Sequence, residues 1–140
     1  MGMPQKFRLT AGNAKPLVML HQTASSSKMF SAVMQAFVDE RCPYITQVFA
    51  PDTPGFGGSV HLNFDTTIEQ NAESIYQALR SAGITECYLY GHHTGASLAA
   101  EIAHRYPEFV CGLILHGPPL LETSEQHVVV ALTGDCQGWI

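Results

Sequence analysis

The stretch of sequence that most constrains the fold covers residues 87–106 and reads CYLYGHHTGASLAAEIAHRY. An apolar, strand-like segment leads to Gly91, and a helical segment rich in small residues follows Gly95. Two glycines at this spacing let the backbone turn tightly and let the helix approach the strand closely. The central residue of such a turn, here His93, has its side chain exposed. The stretch therefore predicts a strand followed directly by a helix, with one histidine presented above the end of the strand.

Strand-like apolar runs and segments of helical periodicity alternate along the rest of the chain, which predicts an α/β fold. We expect a mostly parallel sheet with helices on both faces, because strands joined by helices run parallel and near-continuous apolar strands are covered on both sides. The carboxyl ends of such strands lie at one edge of the sheet, where ligands bind. The predicted strands are residues 16–21, 44–50, 87–90 and 110–116, with a weaker candidate at 6–10.

Helices are predicted between these strands. In the second helix, Thr66 and Glu69 have the spacing of a capping box, and Gly83 predicts the end of the helix. The third helix is predicted over residues 96–106. The first helix has a stripe of apolar residues at helical spacing, which predicts a buried face. This stripe consists of Phe30, Val33, Met34 and Phe37.

The composition bounds the class of protein. A chain of 140 residues has room for one domain, so we predict a single domain over residues 1–140. The net charge of −5 lacks the basic surplus that binding to a phosphate backbone requires, so no nucleic-acid partner is predicted. No apolar run approaches the roughly 18 residues of a membrane span, and the first residues lack the apolar core of a signal peptide. We therefore predict no membrane partner, a cytoplasmic location and no cofactor.

The turn at residues 91–95 (GHHTG) has the context of a G-x-S-x-G nucleophile elbow, between a strand and a helix, and here the sequence resembles the α/β-hydrolase superfamily. Residues 17–23 (LVMLHQT) resemble the family's oxyanion-hole strand and loop, and residues 50–59 (APDTPGFGGS) its D-x-P-G-x-G-x-S turn. Residues 109–119 (FVCGLILHGPP) resemble the strand that follows the elbow. The resemblance covers about residues 6–120 and implies an α/β-hydrolase-like fold.

The same resemblance implies a hydrolase that acts on a small ester, amide or carbonyl compound. At the centre of the elbow the family usually has serine, whereas this sequence has His93. An imidazole can act as a general base or as a covalent nucleophile, so both roles stay open for His93. The alternative is a non-catalytic protein that binds a small ligand or a partner in the same cleft, or an inactive fragment of a longer hydrolase.

Two residues nearer the C-terminus are further catalytic candidates. His116 ends a predicted strand and is a possible proton partner, and Asp135 is the nearest equivalent of the family's triad acid. Residues 128–132 (VVVAL) resemble the family's next parallel strand, although only ten residues lie between His116 and His127. No histidine follows, so we predict a fold shortened at the C-terminus, without a lid or the last strand–helix units. An apolar edge strand invites pairing with a second copy, so a homo-oligomer, most simply a dimer, is predicted.

Residues of the oxyanion and substrate-binding region are also implied by the resemblance. The backbone N–H of Thr94 and the loop at Gln22 and Thr23 are the candidate oxyanion-hole donors. His92 points away from His93 by strand alternation, which favours a hydrogen-bonded packing role. The serines at residues 25–27 are candidate substitute nucleophiles, although helix capping is the plainer role.

A family-like strand order would line one rim of the sheet with three histidines and an aspartate. Asp52, His21, His93 and His116 would then follow neighbouring strands, about 4.8 Å apart. These are possible metal ligands, but no short-range pair such as H-x-x-x-H positions two of them, so no metal site is predicted. His21 and Asp52 are candidates for binding substrate. The alternative role for Asp52 is structural, as an acceptor of hydrogen bonds from N–H groups of its own turn.

Overall fold

The computed structural model describes residues 14–58 and 66–119 and the strand at residues 129–133. The predicted strands at 16–21, 44–50, 87–90 and 110–116 are confirmed to within two residues at each end. The weaker candidate at 6–10 lies outside the described residues. The elements, in chain order, are β1 (Lys15–Leu20), a 3₁₀ helix (Ser27–Phe30), α1 (Ser31–Glu40), β2 (Ile45–Phe49), α2 (Ile68–Ser81), β3 (Cys87–His92), α3 (Thr94–Arg105), β4 (Val110–His116) and β5 (Val129–Thr133).

The strands form one sheet in the order β2-β1-β3-β4-β5. The first four strands are parallel, which confirms the predicted mostly parallel α/β fold. This order also confirms that Asp52, His21, His93 and His116 lie at the ends of neighbouring strands. The first three follow β2, β1 and β3, and His116 is the last residue of β4. The carboxyl ends of these four strands therefore share the edge at which a site is expected.

The fifth strand corrects the prediction for residues 128–132. β5 pairs antiparallel with β4, with His116 opposite Val129, rather than continuing the parallel sheet. The connection has twelve residues, which is the lower limit for a parallel crossover, whereas an antiparallel neighbour can follow a much shorter connection. The residues 117–128 between the strands allow the antiparallel arrangement. β5 lies at the edge of the described sheet, and the oligomeric state stays a prediction.

Helices cover both faces of the sheet. Along β1, Val18 and Leu20 face the larger core under α2 and α3, whereas Leu17 and Met19 face a smaller core under α1. In the predicted stripe of the first helix, Phe30 is buried and Met34 and Phe37 pack partly against the smaller core, but Val33 is 43% exposed. The helix covers this face with a narrower stripe than predicted. No helix in the described part of the chain has the length and apolarity needed to cross a lipid bilayer.

The capping box of α2 is real but lies one residue later than predicted. Thr67 accepts a hydrogen bond from the Gln70 backbone, and the Gln70 side chain accepts one from the Thr67 N–H. Thr66 instead donates its hydroxyl to Asn71 Oδ1, at 2.9 Å. The first turn of α2 is thereby fixed next to the carboxyl edge of the sheet. Gly83, with φ +88°, follows the helix end as predicted.

Candidate active site

The turn at residues 91–95, called here the histidine turn, joins β3 to α3. His93 has φ 54° and ψ −116°, and its side chain is exposed. Its N–H donates to the His116 carbonyl, at 2.8 Å, which ties the turn to the neighbouring strand. This backbone conformation is sparsely populated for any residue with a side chain, and such conformations concentrate at functional sites. The turn therefore holds one imidazole above the sheet, at the start of α3.

Close backbone contacts decide which residues the histidine turn can contain. A Cβ on Gly91 would lie 2.3 Å from the Gly95 carbonyl oxygen. A Cβ on Gly95 would lie 2.2 Å from the Leu20 carbonyl oxygen of β1. Real Cβ atoms do not approach backbone oxygens so closely. Both glycines are thus required by the packing of α3 against β3 and β1, as the sequence predicts.

Thr94 and the loop after β1 are in direct contact. The Thr23 N–H donates to Thr94 Oγ1 at 2.5 Å, and the two threonine hydroxyls are 2.8 Å apart. The structure therefore brings together two of the residues expected at the oxyanion site. It also shows that the Thr94 hydroxyl, rather than a ligand, accepts the Thr23 N–H. The Thr94 N–H lies in the first turn of α3, where backbone N–H groups lack intrahelical acceptors.

His21 is fully buried and ties two loops together. Its Nδ1 is 2.8 Å from the Gln22 carbonyl oxygen, and its Nε2 accepts the Thr53 N–H at 2.9 Å. These partners require a neutral ring protonated at Nδ1. Both ring nitrogens have backbone partners within the protein. His21 can therefore contact a ligand through its ring but not through a free nitrogen. Gln22 contributes its backbone carbonyl to this link.

The segment of residues 51–58, called here the aspartate turn, follows β2 and is organised by Asp52. One carboxylate oxygen accepts the Ser27 N–H at 2.7 Å, and the other accepts the Gly58 N–H at 2.8 Å. These two hydrogen bonds, the one from Ser27 first, lower the pKa of Asp52 below its ordinary value. The expected contact of Asp52 with an N–H of its own turn is confirmed. Ser26 caps the adjacent 3₁₀ helix through the Lys28 N–H, which is the plainer role expected for these serines.

His116 faces the α1 side of the sheet and not the imidazole of the turn. Its Nδ1 is 2.8 Å from the Tyr90 hydroxyl, and its ring contacts the His92 ring edge to face at 4.8 Å between centroids. Burial, followed by the nearby His116 and His93, lowers the pKa of His92. His92 packs as predicted, but within the described residues its buried Nδ1 has no hydrogen-bond partner. Tyr90 was missed, although strand alternation places it on the same face as His92.

The remaining predicted candidates can be placed only in part. Asp135 lies outside the described residues. Among the residues that the structure describes, no three histidine, cysteine, aspartate or glutamate side chains are grouped closely enough to hold a metal ion. The site thus contains an exposed imidazole, that of His93, on a strained turn, and at the next residue a hydroxyl pair, which we define as the side-chain hydroxyls of Thr23 and Thr94.

A small cavity of about 80 Å³ lies beside the hydroxyl pair. The sequence did not indicate the apolar part of its lining, because those residues come from a turn and from two helices whose relative position only the fold determines. A larger open groove of about 510 Å³ lies at the opposite end of α3, near Arg105 and Phe109, and contains none of the predicted site residues. The lining of the small cavity consists of His21, Thr23, Thr53, Phe56, Ile68, Asn71, Thr94 and Leu98.

Comparison with known proteins extends these observations. The chain is 29% identical over 120 residues to a probable 1-acylglycerol-3-phosphate O-acyltransferase of Oryza sativa subsp. japonica, covering 82% of this chain and 28% of that protein. It is 27% identical over 117 residues to a haloalkane dehalogenase of Bradyrhizobium diazoefficiens, covering 81% of this chain and 35% of that protein. The structure of a thermophilic esterase from Thermogutta terrifontis superimposes with a TM-score of 0.69 at 25% identity, covering 80% of this chain and 40% of the esterase.

These relatives differ in the reactions that their names describe, and the chain spans well under half the length of each. The superposition shows that the esterase shares the arrangement of the sheet and its helices with this chain. A sequence model of the family described as having the alpha/beta hydrolase fold matches residues 15–133, which is most of the chain and includes both turns. The chain therefore belongs to the α/β-hydrolase fold family.

Proposed function

We propose that this chain is a hydrolase that acts on a small ester, amide or carbonyl compound, with His93 at the nucleophile position. The observation that carries the proposal is the backbone of His93, whose φ of 54° and ψ of −116° place an exposed imidazole between two indispensable glycines. Strain of this kind costs of order 1–3 kcal/mol and persists where a side chain must be presented in one direction. The similarity to the Thermogutta terrifontis esterase supports the reaction class.

A neutral imidazole at this position has two routes to hydrolysis. In the first, the unprotonated ring nitrogen of His93 attacks the carbonyl carbon and the bond to the leaving group breaks. The leaving oxygen or nitrogen takes a proton from a water molecule, and the hydroxide so formed takes the proton from the other ring nitrogen, which leaves a neutral acyl-imidazole. Water then attacks the acyl-imidazole, releases the carboxylic acid and restores the ring. In the second route, the ring takes a proton from a water molecule as that water attacks the carbonyl carbon. The bond to the leaving oxygen or nitrogen then breaks, and the imidazolium returns the proton to the leaving group.

Negative charge on the substrate oxygen would be stabilised at the start of α3. The Thr94 N–H lies in the first turn of this helix, where backbone donors and the helix dipole favour an anion. The hydroxyl pair lies next to this N–H and links it to the loop after β1. Within the described residues, no carboxylate or second imidazole is hydrogen-bonded to the His93 ring. The proposal therefore includes neither a carboxylate nor a second histidine as a catalytic partner of His93.

The proposal is tested by comparing wild type with His93→Ala on a panel of chromogenic short-chain esters. We expect the variant to lose most of the turnover, by about a hundredfold, which is typical for removal of a positioned base or nucleophile. His104→Ala is the matched control, because His104 is an exposed histidine in the last turn of the same helix. Equal rates for wild type and His93→Ala would remove His93 from the mechanism.

The two routes give different results under rapid quenching. If His93 is a covalent nucleophile, mass spectrometry of the quenched protein detects an acyl group on the peptide that contains residue 93. If His93 is a general base, the peptide stays unmodified while turnover continues. Either result refines the proposal, since both require His93.

A second candidate function, a non-catalytic binder, is favoured by one observation. The Thr23 N–H is already bound to Thr94 Oγ1 at 2.5 Å, so one candidate oxyanion donor is engaged before any ligand arrives. A protein that only binds would show no ester turnover in wild type. It would still show increased thermal stability with small apolar carbonyl ligands, because a ligand that binds only the folded state raises the melting temperature.

A further inference from the structure

We propose that the cavity beside the hydroxyl pair binds an acyl group of acetyl to propionyl size, with its oxygen on the hydroxyl pair. This inference rests on the proposed function and names its substrate class. It also assigns Thr94 a role through its side chain, as the residue that positions the acyl oxygen.

The hydroxyl pair has one hydrogen left for a ligand. The Thr23 N–H and the two hydroxyl groups provide one N–H and two O–H hydrogens, and two contacts within the pair use two of them. Whichever hydroxyl donates across the 2.8 Å contact, the other keeps a hydrogen that points away from it. Thr94 Oγ1 also accepts the Thr23 N–H, and this hydrogen bond further polarises the hydroxyl groups of the pair. The pair is therefore a donor, and its natural partner is an oxygen.

The volume of the cavity limits the length of the acyl chain. A water molecule occupies about 30 Å³ of liquid, and an apolar cavity of roughly 150 Å³ accepts benzene. A cavity of about 80 Å³ therefore has room for about three non-hydrogen groups. Leu98, at the inner end, is 4% exposed and closes the cavity toward the core. With the oxygen on the hydroxyl pair, an acetyl group places two carbons in this space and a propionyl group three, whereas the six carbons of a hexanoyl group exceed it.

The polarity of the lining selects an acyl group over a cation. Phe56, Ile68 and Leu98 form the apolar walls, and none of the lining residues is acidic. Asn71 accepts the Thr66 hydroxyl through Oδ1, which leaves its NH₂ group, a donor, as the end available to a ligand. Both nitrogens of His21 are engaged by the backbone. The hydroxyl pair and the Asn71 NH₂ group can therefore donate to a ligand, which suits a carbonyl or carboxylate oxygen attached to a short apolar tail.

The first experiment measures binding in the absence of chemistry. Acetate, propionate and hexanoate are titrated into the His93→Ala protein, and dissociation constants are taken from ¹H–¹⁵N chemical shifts. We expect acetate and propionate to shift the amides of the hydroxyl pair and hexanoate to bind at least tenfold more weakly. Equal affinity for hexanoate, or no shifts near Thr94 at millimolar acetate, would overturn the inference.

The second experiment isolates the hydroxyl of Thr94. Thr94→Val has nearly the same shape without the donor, and Thr94→Ser keeps the donor. Loss of a hydrogen bond to a charged group weakens binding by about tenfold or more, so Thr94→Val should bind acetate at least tenfold more weakly. Thr94→Ser should retain most of the affinity. A Val variant that folds and binds acetate as the parent does contradicts the assignment.

The third experiment changes the size of the cavity at little cost to folding. Ile68 is 41% exposed and lines the cavity, so Ile68→Ala widens it without opening the core. We expect this variant to gain affinity for hexanoate relative to acetate by about fivefold to tenfold, in line with the burial of one or two methylene groups. Val38→Ala on α1 is the control, because Val38 is 68% exposed and lies outside the cavity. An unchanged preference in Ile68→Ala counts against the cavity as the acyl site.

The inference and the proposed function can fail separately. If ester turnover requires His93 but is indifferent to acyl length and to Thr94→Val, the function stands and the cavity assignment is wrong. If short carboxylates bind with the expected dependence on Thr94 but turnover does not require His93, the cavity assignment stands and the mechanism is wrong.

Discussion

The histidine turn and the aspartate turn follow strands on either side of β1, yet different forces hold them. In the histidine turn the backbone approaches so closely that Gly91 and Gly95 leave no space for a Cβ. In the aspartate turn, Gly55 has open space around it, and a Cβ on Gly57 would meet the Asp52 carboxylate rather than backbone. That carboxylate holds the chain by accepting two N–H groups. One turn is fixed by shape and the other by charge. They should therefore fail under different changes, steric in one case and electrostatic in the other.

The largest expected effect comes from adding one methyl group to the histidine turn. Gly95→Ala would place a Cβ 2.2 Å from the Leu20 carbonyl oxygen, so α3 must move away from β1. We expect a loss of about 3 kcal/mol or more in the free energy of unfolding, measured by urea denaturation. Gly58→Ala in the aspartate turn is the matched control, because its nearest contact would be an ordinary 3.6 Å. Similar losses in the two variants would contradict the comparison.

Removing one charge from the aspartate turn should have the next largest effect. Asp52→Asn keeps the shape but weakens the hydrogen bonds from Ser27 and Gly58, and replaces one acceptor with a donor. We expect a loss of about 1–3 kcal/mol in unfolding free energy. Asp39→Asn is the control, since Asp39 is exposed on α1 and accepts only a Gln35 side chain there. A stability equal to that of the control would mean that the carboxylate does not hold the turn.

The same variant should reveal the pH dependence of the aspartate turn. Hydrogen bonds from Ser27 and Gly58 lower the pKa of Asp52 below its ordinary value of 3.8. Its stabilisation is then complete above pH 3.8 and is lost as the pH falls through the lower, folded-state pKa. The difference in stability between wild type and Asp52→Asn should therefore shrink in acid. A difference that stays constant below pH 3.8 would argue against a charge-held turn.

A smaller effect, with opposite sign, is expected from relieving the strain at His93. Glycine tolerates the positive φ at this position without a steric penalty, so His93→Gly should stabilise the protein by about 1 kcal/mol. His93→Ala removes the imidazole but keeps the strain, and serves as the control in the same urea experiment. If the two variants are equally stable, the backbone of His93 is not under strain, and the observation that carries the proposed function loses its force.

The smallest expected effect concerns pH in the histidine turn. Burial, together with His116 and His93, lowers the pKa of His92 below its ordinary value of 6.5. The unfolded chain then binds a proton more readily than the folded one, so stability is complete above pH 6.5 and declines as the pH falls below it. His92→Phe should flatten this part of the stability profile. If the free energy of unfolding of this variant has the same slope against pH between pH 6.5 and 5 as that of wild type, His92 does not contribute to the pH dependence of stability.

Local patterns were sufficient to predict much of the fold. The four parallel strands, the turn between Gly91 and Gly95 and the helix after it follow from apolar runs and glycine positions that the sequence displays directly. The order of Asp52, His21, His93 and His116 along the edge came from the family resemblance, and the sheet confirms it. The antiparallel β5 was not predicted, because strand direction depends on the length and path of a connection rather than on the strand residues.

The sequence alone determined that a histidine stands at the centre of a glycine-flanked turn, since this is local backbone chemistry. Only the tertiary structure decided what surrounds it. His116 turned out to face Tyr90 and His92, and Thr94 to bind Thr23, seventy-one positions away in the chain. The acyl-sized cavity likewise joins Phe56, Ile68 and Leu98 from three separate segments. Such contacts depend on how the helices pack against the sheet, and no local pattern encodes that packing.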